Sequence, residues 1–180
     1  MIKKTLSAIL AAMILTVSAC SSTAQTAATT TTAAPADEAD IRTECQFYCD
    51  DIIYYDGKIF NSEEPLFNSY FEGNASELKK AIEQCRESAE KILELTCPCE
   101  EIIEQHEAMI TVADEYMKLL DSMERYAYYL EEALTRTDFT DEEMIEIQEL
   151  SEILADPYKT PMAFQDSRLA TIDAAMLYLQ

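Results

Sequence analysis

Eleven positions between Cys99 and Leu134 advance in alternating steps of three and four residues. They read Cys99, Ile102, His106, Met109, Ala113, Tyr116, Leu120, Met123, Ala127, Leu130 and Leu134. Residues so spaced share one stripe of an α-helix, the seam by which helices pack into bundles and coiled coils. One long helix is therefore predicted from about Cys99. Pro98 suits its first turn, and Glu100 and Glu101 favour the positive end of the helix dipole. The alternation of apolar and polar residues that marks a half-buried strand is absent. Gly57 and Gly73 are the only glycines, which excludes phosphate-cradling loops that need several glycines close together.

The same spacing recurs before and after this segment. Leu78, Ile82, Cys85, Ala89, Ile92 and Thr96 predict a helix over 76–95, opened by Asn74 and Glu77 in a capping-box arrangement. Ile41, Cys45, Tyr48, Ile52 and Tyr55 predict an earlier one over 38–60. Between them, 61–73 reads as a connector holding Pro65, with Phe67, Tyr70 and Phe71 plugging one end. Thr140 and Glu143 open a fourth helix to about Leu154, Pro157 ends it, and Thr160-Pro161 begins a last helix through Leu179. The expected fold is all-α, an up-and-down bundle of four to five helices stapled by disulfides.

The first 36 residues follow other rules. Lys3 and Lys4 precede an uncharged run from Thr5 to Val17, which at about 13 residues is too short to span a bilayer but matches a signal-peptide core. Small residues then lead to a cysteine, Val17-Ser18-Ala19-Cys20. This segment resembles the lipobox of bacterial lipoproteins. The resemblance covers residues 1–20 and implies three things: Cys20 carries a diacylglyceryl group, cleavage occurs just before it, and it becomes an acylated (palmitate-bearing) N-terminus. Two acyl chains anchor stably where one does not. Residues 21–36, SSTAQTAATTTTAAPA, carry no charge and no aromatic residue and read as a flexible tether. The expected organisation is a signal peptide over 1–19, lipidated Cys20 and tether over 20–36, and an acidic helical domain over 37–180. The implied location is the extracytoplasmic face of the cell membrane.

Charge narrows the partners. The domain holds all 35 acidic residues and 11 of the 13 basic ones, a formal net charge of −24 once Lys3 and Lys4 leave with the signal peptide. Nucleic acid and anionic lipid surfaces would repel it. The long seam is also compatible with a dimer.

Cys45, Cys49, Cys85, Cys97 and Cys99 remain beyond Cys20. Outside the cytoplasm the default is disulfides, and an odd count leaves one thiol over. If the first two helices fold back about residue 67, Cys49 lies level with Cys85, its expected partner. Cys45 then lies towards Cys97 and Cys99 and bridges to either. The alternative gathers Cys45, Cys49, Cys85 and His106, the only histidine, into one layer as a Cys3His metal site. A third reading makes Cys97-Pro98-Cys99 a redox dithiol, which Glu100 and Glu101 oppose electrostatically.

No catalytic residue and no cofactor is assigned. A hydrolase would have to use His106, and no G-x-S-x-G elbow presents a serine. The tyrosines fit a core or its edge. The expected function is a membrane-anchored lipoprotein with a non-catalytic binding or scaffolding role, its partner an envelope protein or ligand. The alternatives are a metal-binding or thiol-redox lipoprotein, or a hydrolase.

Overall fold

The computed structural model describes residues 36–180. Cys20, the signal peptide and nearly all of the tether lie outside the described residues. Five α-helices and one short 3-10 turn account for the fold: α1 (Ala36–Glu72), α2 (Ala75–Leu93), the turn Glu100–Ile102, α3 (Ile103–Ala133), α4 (Asp141–Ile153) and α5 (Lys159–Leu179). No strand occurs among the described residues. The all-α bundle expected from the periodicity is what the chain forms.

α1 packs on α2 and α5, and α3 packs on the same two helices, so α1 and α3 sit on the diagonal of a four-helix square. The chain runs up α1, down α2, up α3 and down α5. The short α4 folds back along the C-terminal part of α3, held by Arg125 to Glu146 and Arg136 to Glu143. The seam of α3 is buried through Ile102, Met109, Ala113, Tyr116, Leu120, Met123 and Ala127, and it leaves the core at its end, where Leu134 is exposed. On α2, Leu78, Ile82, Cys85, Ala89 and Ile92 are all buried, as the spacing requires.

The connector expected over 61–73 is corrected. α1 continues through Pro65 to Glu72, 37 residues in all. Proline inside a helix removes one hydrogen bond and costs about 3 kcal/mol. Beyond it, however, Leu66 and Phe67 are buried, and fully burying each such side chain contributes roughly 1.5–3 kcal/mol. Burial therefore outweighs the proline. The true stop is Gly73, at φ 67°, where glycine adopts the left-handed conformation without a Cβ clash. The Asn74 amide donates to the Ser69 carbonyl at 2.9 Å, the six-residue closure that ends many helices. Asn74 then caps α2, its side chain accepting from the Glu77 amide at 3.3 Å.

The aromatic cluster is helical rather than part of a loop, yet it still closes one end of the bundle. Phe67 packs against Tyr158 at 4.4 Å and Tyr70 against Tyr126 at 5.2 Å. Thr140 and Glu143 form the expected reciprocal capping box of α4.

Candidate functional site

The longer α1 decides which chemical groups meet. Two antiparallel helices place in one layer those residues equally distant from their turn. With the turn at Gly73-Asn74 rather than near residue 67, Cys85 lies level with about residue 62. The register moves by about 13 residues, roughly 20 Å at 1.5 Å per residue. The expected Cys49–Cys85 pairing is thereby overturned. Cys85 sits instead in a layer with Tyr116, Glu63 and Arg168, and the charges of the last two act on its thiol. The Cys45, Cys49, Cys85 and His106 set falls apart for the same reason. Among the described residues no three His, Cys, Asp or Glu side chains come together as a metal site.

Cys45, Cys97 and Cys99 come near one another at the end of the bundle that carries the α2–α3 loop. Cys45 is buried, and Cys97 and Cys99 lie near enough to act on its thiol. Its Sγ also lies 3.9 Å from the Ala175 carbonyl of α5. The Cys97 Sγ donates to the Cys99 carbonyl at 3.1 Å. All five described cysteines are free thiols. Burial pushes the Cys45 thiol up, and pushes Cys49 and Cys99 up to about 11 and Cys85 up to about 12. Glu101 beside Cys99 acts in the same direction. These four thiols are therefore protonated at neutral pH and poor nucleophiles.

His106 reaches across the diagonal to Tyr48, with its Nδ1 2.8 Å from the Tyr48 hydroxyl. Burial pulls the His106 imidazole down against the opposing pull of Glu107, so the ring is neutral at neutral pH. Burial likewise drives the Tyr48 phenol up, keeping it a donor. The pair reads as a Tyr48 hydroxyl donating to Nδ1. A general base needs a ring nitrogen facing a substrate, and Nδ1 is already engaged inside the bundle.

The most unusual group in the core was not singled out from the sequence. Arg168 on α5 is 1% exposed. Its Nε donates to Asp56 Oδ1 at 2.7 Å, and its guanidinium lies 4.1 Å from the centre of the Phe164 ring. Glu63 and Tyr116 complete the layer. The Tyr116 hydroxyl, Glu63 Oε1 and Arg168 Nη1 are all buried without a hydrogen-bond partner. Burial raises the Glu63 carboxyl to about 7, only partly offset by the Arg168 charge and further raised by Asp56. One guanidinium thus faces two carboxylates, so at neutral pH the layer is charge-balanced only while Glu63 holds its proton. The signal was present in Gly73-Asn74. Read as a helix stop followed by a cap, it allows a first helix reaching past Glu63, but it leaves open whether that helix survives Pro65.

The surface carries two further features. An open depression between α3 and the α4–α5 turn is lined by Glu115, Lys118, Ser122, Glu152, Asp156 and Lys159, groups of both signs with no convergent geometry. Along α1 and α5 the chain leaves large apolar side chains in water, among them Phe60 at 49%, Phe71 at 61% and Met162 at 62% exposure. Scattered exposed apolar residues are ordinary, whereas a contiguous strip marks a contact surface. No family model, no curated protein and no solved structure matches this chain.

Proposed function

We propose that this protein is a lipid-anchored binding module of the bacterial cell envelope, held by Cys20 at the extracytoplasmic face of the membrane. The observation that carries the binding role is the exposed apolar surface along α1 and α5 of an acidic bundle. The anchor rests on Val17-Ser18-Ala19-Cys20 and on the stability of a two-chain lipid attachment. No described helix is long and apolar enough to cross a membrane. Expression in a bacterial host supplied with labelled palmitate tests the anchor. Label on the chain and recovery in the membrane fraction are expected, with both lost in Cys20→Ser. Label that survives Cys20→Ser would overturn the assignment.

In the oxidising surroundings such a location implies, disulfides persist, and Cys45 with Cys99 is the pair positioned to close one. Cys49 and Cys85 are in different layers and stay reduced. Mapping of the oxidised chain by peptide mass spectrometry is expected to recover a Cys45–Cys99 crosslink, with Cys85 alkylated only after denaturation. A Cys49–Cys85 crosslink would contradict the register described above.

A further inference from the structure

Three cross-helix contacts set the register of α1 against α5. Arg168 meets Asp56, the Cys45 thiol meets the Ala175 carbonyl, and Arg42 donates to the Leu179 carbonyl. The helices are therefore antiparallel, and the helical period then gives the direction of every other side chain. On α1, Ile53, Phe60 and Phe71 lie just outside the line of residues that touch α5. On α5, Met162, Leu169 and Met176 recur every seven residues, just outside the line that touches α1. By the helical period both rows face the outer side of the α1–α5 contact, the shallow groove between the two helices. Phe71 reaches Tyr158 at 5.9 Å, which joins the rows at one end. Each of the six side chains is exposed. Ile53 to Phe71 spans about 27 Å at 1.5 Å per residue.

Alongside the apolar rows the rim of this groove is acidic, and Arg42 lies at its far end, held on the Leu179 carbonyl. Asp50 flanks the α1 row, Glu64 lies within it between Phe60 and Phe71, and Asp166 and Asp173 alternate with the methionines and leucine of α5. All four are exposed. Among the described residues none of them is in an ion pair. A second copy of the chain would bring the same acidic rims and another strongly negative domain against it, which like-charge repulsion opposes. An apolar face edged with Lys or Arg satisfies both the strip and the rim. Polarisable methionines beside aromatic rings suit the irregular side chains of such a helix.

We propose that the α1–α5 groove is a docking site for a cationic amphipathic helix of about 18 residues, long enough to cover the strip. This rests on the reading of the chain as a binding module and names its partner class. The test uses the chain from residue 20 onward carrying Cys20→Ser. Its probe is a fluorescent 18-residue peptide of leucine and lysine with leucines on one helical face. Saturable binding is expected, weakened at least about tenfold, or roughly 1.4 kcal/mol, when the peptide order is scrambled. The doubly substituted Phe60→Glu/Leu169→Glu chain is expected to lose a similar factor, with its circular dichroism unchanged because both positions face solvent. Asp166→Lys/Asp173→Lys, also at exposed positions, is expected to weaken the lysine peptide and strengthen a glutamate counterpart.

Equal binding of the scrambled peptide would reduce the effect to bulk charge attraction and overturn the proposal. Unchanged binding by both variants would do the same. So would a dimer in sedimentation that Phe60→Glu/Leu169→Glu dissolves, or binding of the groove to phosphatidylcholine vesicles in place of the peptide. Palmitate on Cys20 without peptide binding would sink this inference and leave the anchor standing. Peptide binding without palmitate would do the reverse.

Discussion

Replacing Arg168 with methionine is expected to destabilise the bundle by about 3–4 kcal/mol, the lower part of the range for breaking a buried ion pair, because the Asp56 side chain is 22% exposed. Methionine retains most of the side-chain length, so packing against Phe164 is largely kept and the loss is electrostatic. What remains is Asp56, left without the guanidinium it accepts from, and Glu63, left without the only cation in its layer. Urea denaturation of the full chain measures this. With a slope of about 2 kcal/mol per molar for a domain of this size, the midpoint falls by roughly 2 M. The double variant Arg168→Met/Asp56→Leu is expected to recover much of the loss, because an apolar pair in place of a buried ion pair is often neutral or better. A single variant within 1 kcal/mol of the parent would show the layer to be wetter than its burial indicates.

Glu63 gives the second large effect, and its sign runs against the usual carboxylate. Burial raises its folded value to about 7 from an ordinary 4.5, so between those values the folded chain binds more protons than the unfolded one. Stability then falls as pH rises. Below about 4.5 both states hold the proton and the group costs nothing. Above about 7 both have lost it and the full penalty applies, up to about 3 kcal/mol at 1.36 kcal/mol per pH unit. Asp56 and the Tyr116 and Cys85 groups face Glu63 alongside Arg168, and none of them supplies a second positive charge. Glu63→Gln keeps the shape of the protonated acid. Its stability is expected to match the parent near pH 4.5 and exceed it by about 2–3 kcal/mol at pH 8. Urea titrations at several pH values read the difference directly. A difference between the two chains that stays flat over this window would remove Glu63 as its source.

Glu143 and Glu146 shift the other way, down to about 2, chiefly through their hydrogen bonds to Arg136 and Arg125. Both are surface groups on α4 whose stabilisation is lost only as pH falls below the ordinary carboxylate value. Their window lies below that of Glu63, and comparing Glu63→Gln with the parent at each pH cancels His106, whose ordinary value of 6.5 lies inside the window.

Helical periodicity alone determined the class of this fold. The stripes of α2 and α3, the cap pairs Asn74–Glu77 and Thr140–Glu143, and the last helix from Thr160-Pro161 are local features. Each is set by side chains within one or two turns of one another. That Cys45 lies towards Cys97 and Cys99 needed only the chain to reverse between them; which of the two it faces was left open by the sequence. What local pattern could not decide was whether the first helix survives Pro65. That outcome depended on burial of Leu66 and Phe67 against residues far along the chain, an energy that no local propensity contains. The register of α2 against α1 followed from it. So did the separation of Cys85 from Cys49 and His106, the gathering of Asp56, Glu63 and Tyr116 around the buried Arg168, and the alignment of the α1 and α5 apolar rows. In an antiparallel bundle, moving a turn by a few residues moves every layer by twice as many. The tertiary structure alone settles which groups meet.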